Sequence, residues 1–447
     1  MRSPLLMLGA AALATAAAAE PKYVLYFDQY HVTDLPDKST AAGINYVITA
    51  FANSSLFASE PAGVYTPFKP LSEVRALFDD GAKVCMAIGG WADLAGFSKG
   101  AKTDKTRKRF ARNVASTLDR LGYDCVDVDW EYPGGNGEDY KRIPNSKKTD
   151  EIESYPKLLA EIKSAIGDKE LSIAVPGLER DMIAYTAKQV RKINKAVDFV
   201  NVMTYDLMNR RDTATAHHVS IQGTLRAIET YIARGFPASK LVGGIPFYAK
   251  WFTTKKGVKC TGPTGCPTEL FEAADGSDTG LSGTVTFEKN NYTPAPSNLT
   301  VSADASCGAG TSFKCGPGNC CSQFGFCGDS AGHCGTGCQA AYGKCDGTDV
   351  LASFQKALKN GQTDLAAGAE WYWDADTSLF WSWDTPDLIT KKISILLNSG
   401  LGGFMAWSLG EDGHDWSHLT AMQKSITAFS KRSTGYYHAR SHVGRRR

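Results

Sequence analysis

Past residue 19 the 447-residue sequence holds no apolar run approaching the roughly 20 residues that a bilayer-spanning helix needs, which argues against a polytopic membrane protein. Net charge is scarce too: 49 Lys and Arg stand against 47 Asp and Glu. Six of those basic residues (Lys431, Arg432, Arg440, Arg445, Arg446 and Arg447) crowd the C-terminus with no acid among them. The remainder is therefore slightly acidic and lacks the electrostatic footprint of a nucleic-acid partner. Histidine numbers only 8, and the pair His217-His218 has no metal-ligand spacing. A surface loop is the reading for that pair, with neither a metal nor another cofactor expected. With 43% hydrophobic and 21% charged residues, the composition leaves no room for disorder or a collagen repeat.

What is present begins with Met1-Arg2 and an apolar run from Leu5 that ends in the small residues Ala17-Ala18-Ala19. This reads as a secretory signal over 1–19, too short for a membrane anchor. The 12 cysteines then belong to an oxidising compartment, and the expected location is extracellular, free or associated with a cell wall. Eight of them, Cys307, Cys315, Cys320, Cys321, Cys327, Cys334, Cys338 and Cys345, are separated by short Gly-rich loops. That is the pattern of a disulfide-held module too small for an apolar core. A zinc site is the rival reading, and the adjacent Cys320-Cys321 pair in an exported chain speaks against it.

Elsewhere, strand-like segments alternate with amphipathic ones. The strands are expected at Tyr23–Phe27, Tyr46–Ala52, Lys83–Gly89, Cys125–Tyr132, Leu171–Pro176, Phe199–Asp206, Leu241–Tyr248 and Gly403–Leu409. Helical spacing is clearest in Phe110, Val114, Leu118, Leu121 and in Ile152, Tyr155, Leu158, Leu159, Ile162, Ile166. Eight β/α units in order predict an α/β fold, a (β/α)8 TIM barrel with its chemistry at the strand ends. The spacing breaks once, after the seventh strand, so an insertion domain is expected there with the cysteine module nested in it. The expected divisions are a barrel of 20–252 and 369–431, an insertion of 253–368, a module of 307–345 and a basic, irregular tail of 432–447. Asn291-Tyr292-Thr293, Asn298-Leu299-Thr300 and Asn53-Ser54-Ser55 are candidate glycan acceptors.

In Cys125-Val126-Asp127-Val128-Asp129-Trp130-Glu131, acids alternate with Val, Val and Trp. A period of two puts all three carboxyls on one face. The apolar face is the one that helices cover, so the acids point into the barrel, where like charges cannot all ionise and at least one pKa must rise. A carboxyl kept protonated near neutrality suits a general acid, and Glu131, nearest the strand's C-terminal end, is the candidate.

These residues resemble those of a chitinase of glycoside hydrolase family 18. The family pattern D-G-x-D-x-D-x-E appears as Asp124-Cys125-Val126-Asp127-Val128-Asp129-Trp130-Glu131, with Cys125 where Gly is usual. Its S-x-G-G appears as Ala87-Ile88-Gly89-Gly90, without the serine that hydrogen-bonds the inner acid. Met203-Thr204-Tyr205-Asp206, Pro246-Phe247-Tyr248 and Met405-Ala406-Trp407 match three further strand ends. The resemblance implies retaining hydrolysis in which the substrate's acetamido oxygen is the nucleophile, an exception to the two-carboxylate scheme. Glu131 would protonate the leaving oxygen, Asp129 would hold the acetamido N–H, Asp127 would share a proton with Asp129, and Tyr205 would donate to the acetamido oxygen. Asp206 would position the sugar over Trp407, with Met203, Tyr248, Trp91, Gly90, Tyr26 and Phe51 as neighbours. Chitin and its oligosaccharides are the implied partners of a monomer. The alternatives are an endo-β-N-acetylglucosaminidase acting on N-glycans and a catalytically weak chitin lectin.

The nested module resembles the hevein-type chitin-binding fold, carbohydrate-binding module family 18. That resemblance places Ser322, Phe324 and Phe326 at its serine and stacking aromatics, with His333 where a third aromatic is usual. It implies the pairs Cys307–Cys321, Cys315–Cys327, Cys320–Cys334 and Cys338–Cys345. Cys260 and Cys266 are candidates for a bridge within the insertion, while Cys85 and Cys125 fit either free thiols or a bridge. Tethered at both ends, the module would act by raising effective concentration at solid chitin. Gly96-Phe97-Ser98-Lys99-Gly100 spells a G-x-S-x-G motif but follows a loop, so a nucleophile elbow is not expected.

Overall fold

The computed structural model describes residues 20–443 apart from 293, 294, 336 and 346. The expected signal at 1–19, Thr293 of one candidate acceptor sequon and residues 444–447 lie outside the described residues. Eight parallel strands close into a barrel: Lys22–Asp28, Tyr46–Ala52, Lys83–Gly89, Cys125–Asp129, Glu170–Pro176, Phe199–Met203, Leu241–Pro246 and Gly403–Trp407. The eighth pairs with both the first and the seventh. Four strands end earlier than expected from sequence. Glu131, Tyr205, Asp206 and Tyr248 consequently lie past the last rung of the barrel, on the rim.

Each strand is buried on both faces, as closure under a ring of helices demands. Leu25, Phe27, Met86, Ile88, Val126, Val128 and Trp130 point outward into the helix layer. Val24, Tyr26, Ile48, Cys85, Ala87, Cys125 and Met405 fill the interior. Cys85 and Cys125 are register partners and are joined by a disulfide. The helix Asp104–Leu121 shows how local signals fit this layer. Thr103 and Thr106 form a capping box at its start, Gly122 ends it at φ 79°, and Phe110, Ala111, Val114 and Leu118 are its buried stripe.

The insertion is larger than the expected boundaries. Ala369–Asp374 and Leu379–Trp383, assigned to the barrel from sequence, belong with Tyr248–Thr253, Ser282–Thr286 and Gln362–Asp364 in a separate five-stranded antiparallel sheet. The barrel thus gives up the chain at Phe247 and takes it back at the helix Pro386–Asn398. The cause is a second core: Ala249, Trp251, Val285, Trp381 and Trp383 bury against Phe354 of the helix Val350–Asn360. Trp381 fixes that contact by donating its indole N–H to Ser353 Oγ at 3.0 Å.

Two further expectations are corrected. The tail is not irregular up to 443, because the helix Ser417–Val443 runs through it. Leu419, Met422 and Ile426 dock its first turns on the core, and extending a docked helix costs far less than nucleating one. His217 and His218 are buried, not on a surface loop, because the second sheet covers them. His217 Nε2 lies 3.1 Å from Asp364 Oδ2, and Ser382 Oγ accepts the His218 N–H at 3.2 Å. The G-x-S-x-G stretch lies in the helix Ala95–Ala101, where Ser98 donates to Glu151.

Trp130 is the outward partner of the acid ladder, stacked on Phe97 at 5.2 Å and edge-on to Tyr155 at 5.6 Å. Trp130→Ala is expected to cost about 3–5 kcal/mol in urea unfolding. Glu131→Gln, one residue on and at the rim, should leave the unfolding free energy within about 0.5 kcal/mol of wild type. Equal losses in the two variants would show that the outer face does not carry the ladder.

Candidate active site

Asp127, fully buried, is the innermost acid. It accepts hydrogen bonds from Ser172 Oγ at 2.6 Å, Tyr26 OH at 2.9 Å and Asn201 Nδ2 at 3.2 Å. Burial raises its pKa to about 6, with these three donors limiting the rise. Asp129 ends the strand with Oδ1 buried and unpartnered. Burial first, then the charges of Glu131 and Asp127, push its pKa well up. Glu131 stands just past the strand, where burial raises its pKa to about 7, Tyr132 opposes the rise, and Asp206 and Asp181 add to it. Three acids so placed hold at least one proton at neutrality, and the outermost opens on the cleft.

Ser172 answers the missing serine of the third strand. Ala87 and Ser172 are the register partners of Asp127 on its two sides, so the donor has moved from one neighbouring strand to the other. Sequence reasoning missed it, although the alternation of the fifth strand already turns Ser172 inward.

Across the rim, Tyr205 packs edge-on to Tyr248 at 6.1 Å, its hydroxyl 3.9 Å from Met405 Sδ. Tyr248 donates to Asp206 Oδ1 at 2.9 Å. Lys250 Nζ lies 3.1 Å from that same oxygen and His218 Nδ1 lies 3.6 Å from it. Burial works against the charge on Asp206, yet Lys250 and then His218 hold its carboxyl well below the usual carboxylate range. Lys250 and His218 are thus parts of the site that no motif marked.

Trp407 forms the floor, stacked on Phe51 at 5.5 Å and tilted against Tyr26 at 5.6 Å. Gly90 makes that stack possible. Its φ is 88°, and a Cβ there would meet the Phe51 ring at 2.7 Å. Trp91 is 47% exposed at the cleft edge, and Met203 lines the cleft wall. Behind Trp407, Asp28 accepts from Ser408 Oγ and holds His31 at 2.9 Å. Burial opposes protonation of His31, but Asp28, Glu411 and Glu288 raise its pKa to about 9, so a cation ties the barrel rim to the insertion.

Structure and sequence therefore place Glu131, Asp129, Tyr205, Asp206, Tyr248, Met203, Trp91, Tyr26, Phe51 and Trp407 around one cleft of about 1410 Å³, while Asp127 and Gly90 support it from beneath. In the module, disulfides join Cys307 to Cys321, Cys315 to Cys327, Cys320 to Cys334 and Cys338 to Cys345. Cys260 and Cys266 are bridged as well. Ser322 is buried and accepts the Phe326 N–H at 3.2 Å, while Phe324 and Phe326 are exposed and His333 Nδ1 meets Ser330 Oγ at 2.7 Å. Among the described residues, the group with metal-type spacing is Cys307, Cys315 and Cys327, whose sulfurs are all committed to disulfides.

Ser172→Ala is expected to cost roughly 1–3 kcal/mol, since a buried acid loses a hydroxyl donor. Ala87→Ser added to that variant should recover part of the loss in urea unfolding. Strictly additive single effects would mean that the two positions do not serve the same carboxyl.

A profile of Glycosyl hydrolases family 18 matches residues 22–412. Endochitinase 1 of Metarhizium robertsii is 30% identical over 188 residues, which cover 39% of this chain and 43% of that protein, so the match spans less than half of the relative. A chitinase-like effector of Moniliophthora roreri is 25% identical over 92% of this chain and 95% of its own. The crystal structure of a Rhizomucor miehei chitinase superposes with a TM-score of 0.64 at 18% identity, covering 90% of this chain and 99% of that one, a likeness of fold. With the profile extending over nearly the whole barrel and insertion, this chain belongs to glycosyl hydrolase family 18.

Proposed function

We propose that the protein is a secreted chitinase that cleaves β-1,4-linked N-acetylglucosamine chains with retention, by substrate-assisted catalysis. The observation that carries this reading is the acid ladder, in which Glu131, raised to about 7, faces an open cleft above two acids buried deeper in the barrel. In this mechanism the acetamido oxygen of the bound sugar attacks the anomeric carbon as Glu131 gives its proton to the departing glycosidic oxygen. Asp129 accepts from the acetamido N–H and stabilises the cationic oxazolinium intermediate, sharing with Asp127 the proton that their proximity retains. Tyr205 donates to the acetamido oxygen, and Asp206 positions the sugar over Trp407. Glu131, now a carboxylate, takes a proton from water, which opens the intermediate with net retention. Six disulfides favour an oxidising compartment and with it export.

A chitin-binding protein without turnover is the second reading, kept because one relative matched along nearly its whole length is named a chitinase-like effector. The presence of Glu131 and Asp129 in the cleft favours the enzyme.

Chitin hexamer should be cleaved with the β anomer appearing first, while cellulose oligomers, fully deacetylated chitosan and a high-mannose glycoprotein stay intact. Glu131→Gln should lose at least about 10²–10⁴ in rate and still bind the hexamer. Early release of the α anomer in NMR would overturn retention, and no turnover by the wild type would leave the binding-protein reading.

The acid form of Glu131 must be present for leaving-group protonation, and its population falls above the folded pKa. On chitin trimer, kcat/KM should therefore decline on the alkaline side with a midpoint near pH 7. A profile level to pH 9 would remove Glu131 as the proton donor.

A further inference from the structure

The disulfide module is seated rather than merely tethered. Gln323 of the module lies across Gly283 of the strand Ser282–Thr286, where a Cβ would stand 2.3 Å from Gln323 Oε1 and 2.8 Å from Trp251 Cζ2. At a second point, a Cβ on Gly310 of the module would come within 2.4 Å of Asn290 Nδ2. The two contacts set the amide ends of Gln323 and Asn290 against glycines across the boundary and bring the module to close range of the sheet. Gln355 holds the same edge from the helix behind by donating to the Asn291 carbonyl at 3.1 Å.

In that seat the module walls one part of the cleft onto which Glu131 and Trp407 open. Gln323, Phe324, Gln339 and Tyr342 line it together with the catalytic rim, whereas Phe326 and His333 are not among its lining residues. Phe324 is 67% exposed. The sugar-stacking residues implied by the hevein-type resemblance are therefore divided, with one aromatic turned to the catalytic cleft and the others elsewhere. At about 1410 Å³ the cleft also exceeds the roughly 300–1,000 Å³ of small-molecule sites and suits several linked sugars.

We propose that the module is a fixed wall of the catalytic cleft, and that Phe324 stacks a distal sugar of the same β-1,4-linked N-acetylglucosamine chain that is cleaved at Glu131. The inference rests on the chitinase reading above and specifies where its substrate extends. A planar aromatic offers the apolar face of a pyranose ring a large contact at little entropic cost, and a seated wall is ordered before substrate arrives. The module then acts on soluble chains long enough to reach it, which differs from the concentrating role at solid chitin expected from the sequence.

The test is a length series on the full chain, from N-acetylglucosamine trimer to octamer, comparing wild type with Phe324→Ala, Phe324→Trp and Phe313→Ala. Phe313 is an exposed aromatic of the same module that does not line the cleft. Phe324→Ala should raise KM by about threefold to tenfold on the longest chains, with the effect shrinking toward the trimer. Phe324→Trp should lower KM on the longest chains, and Phe313→Ala should match wild type throughout. A Phe324→Ala effect that is absent at every length, or equal at every length, would overturn the proposal. The same series read as calorimetric affinity in a Glu131→Gln background reports on Phe324 without turnover. Failure of the chitinase reading would appear separately, as a wild type that binds the series and cleaves none of it.

Discussion

The mutual repulsion of three carboxyls inside a closed barrel is the constraint around which this molecule is built. A strand places Asp127 and Asp129 on one face with Glu131 just past its end, and closure removes the water that would otherwise screen the inner two. Ser172, Tyr26 and Asn201 make the innermost position tolerable. Asp129 Oδ1 has no such donor among the described residues, and burial with the charges of Glu131 and Asp127 pushes its pKa well up. Glu131, raised to about 7 by its own burial with Asp206 and Asp181 adding to the rise, keeps a proton at the cleft.

The second sheet completes what the barrel begins. Tyr248 and Lys250 lie on its first strand and hold Asp206, while Glu288, just after its second, joins the carboxylates around His31. The insertion is therefore part of the site's electrostatics as well as one of its walls. Its core of Trp251, Trp381, Trp383 and Phe354 supplies the stiffness that such positioning requires.

Much of this was legible in the order of residues. Apolar runs located all eight barrel strands, because burial on both faces leaves a continuous trace, and alternation in the fourth turned the acids inward. Where the barrel strands stop was less legible: Asp129 to Glu131 continues the alternation after the neighbouring strands have ceased to pair. The strands at 369–383 were assigned to the barrel because an aromatic, apolar stretch looks alike whichever sheet it joins, and its partner at 248–253 is remote in sequence. His218 left no periodic signal, and Ser382 and Tyr248 of that second sheet are among the residues that cover it. Ser172 was visible as an inward-facing polar residue, but its meaning depended on the register that sets it beside Asp127.

The disulfide between Cys85 and Cys125 lies two residues below the Ala87–Asp127 pair, on the same two strands. It closes a loop of 40 residues, which chain-entropy reasoning values at roughly 4 kcal/mol. Its position gives it a second meaning, since a slip of one residue between these strands would turn every carboxyl of the ladder out of the barrel. The bond is a covalent pin on the register that aims the acids. In a reducing environment that register rests on hydrogen bonds and packing alone, so the compartment that oxidises the chain also locks the alignment of its active site.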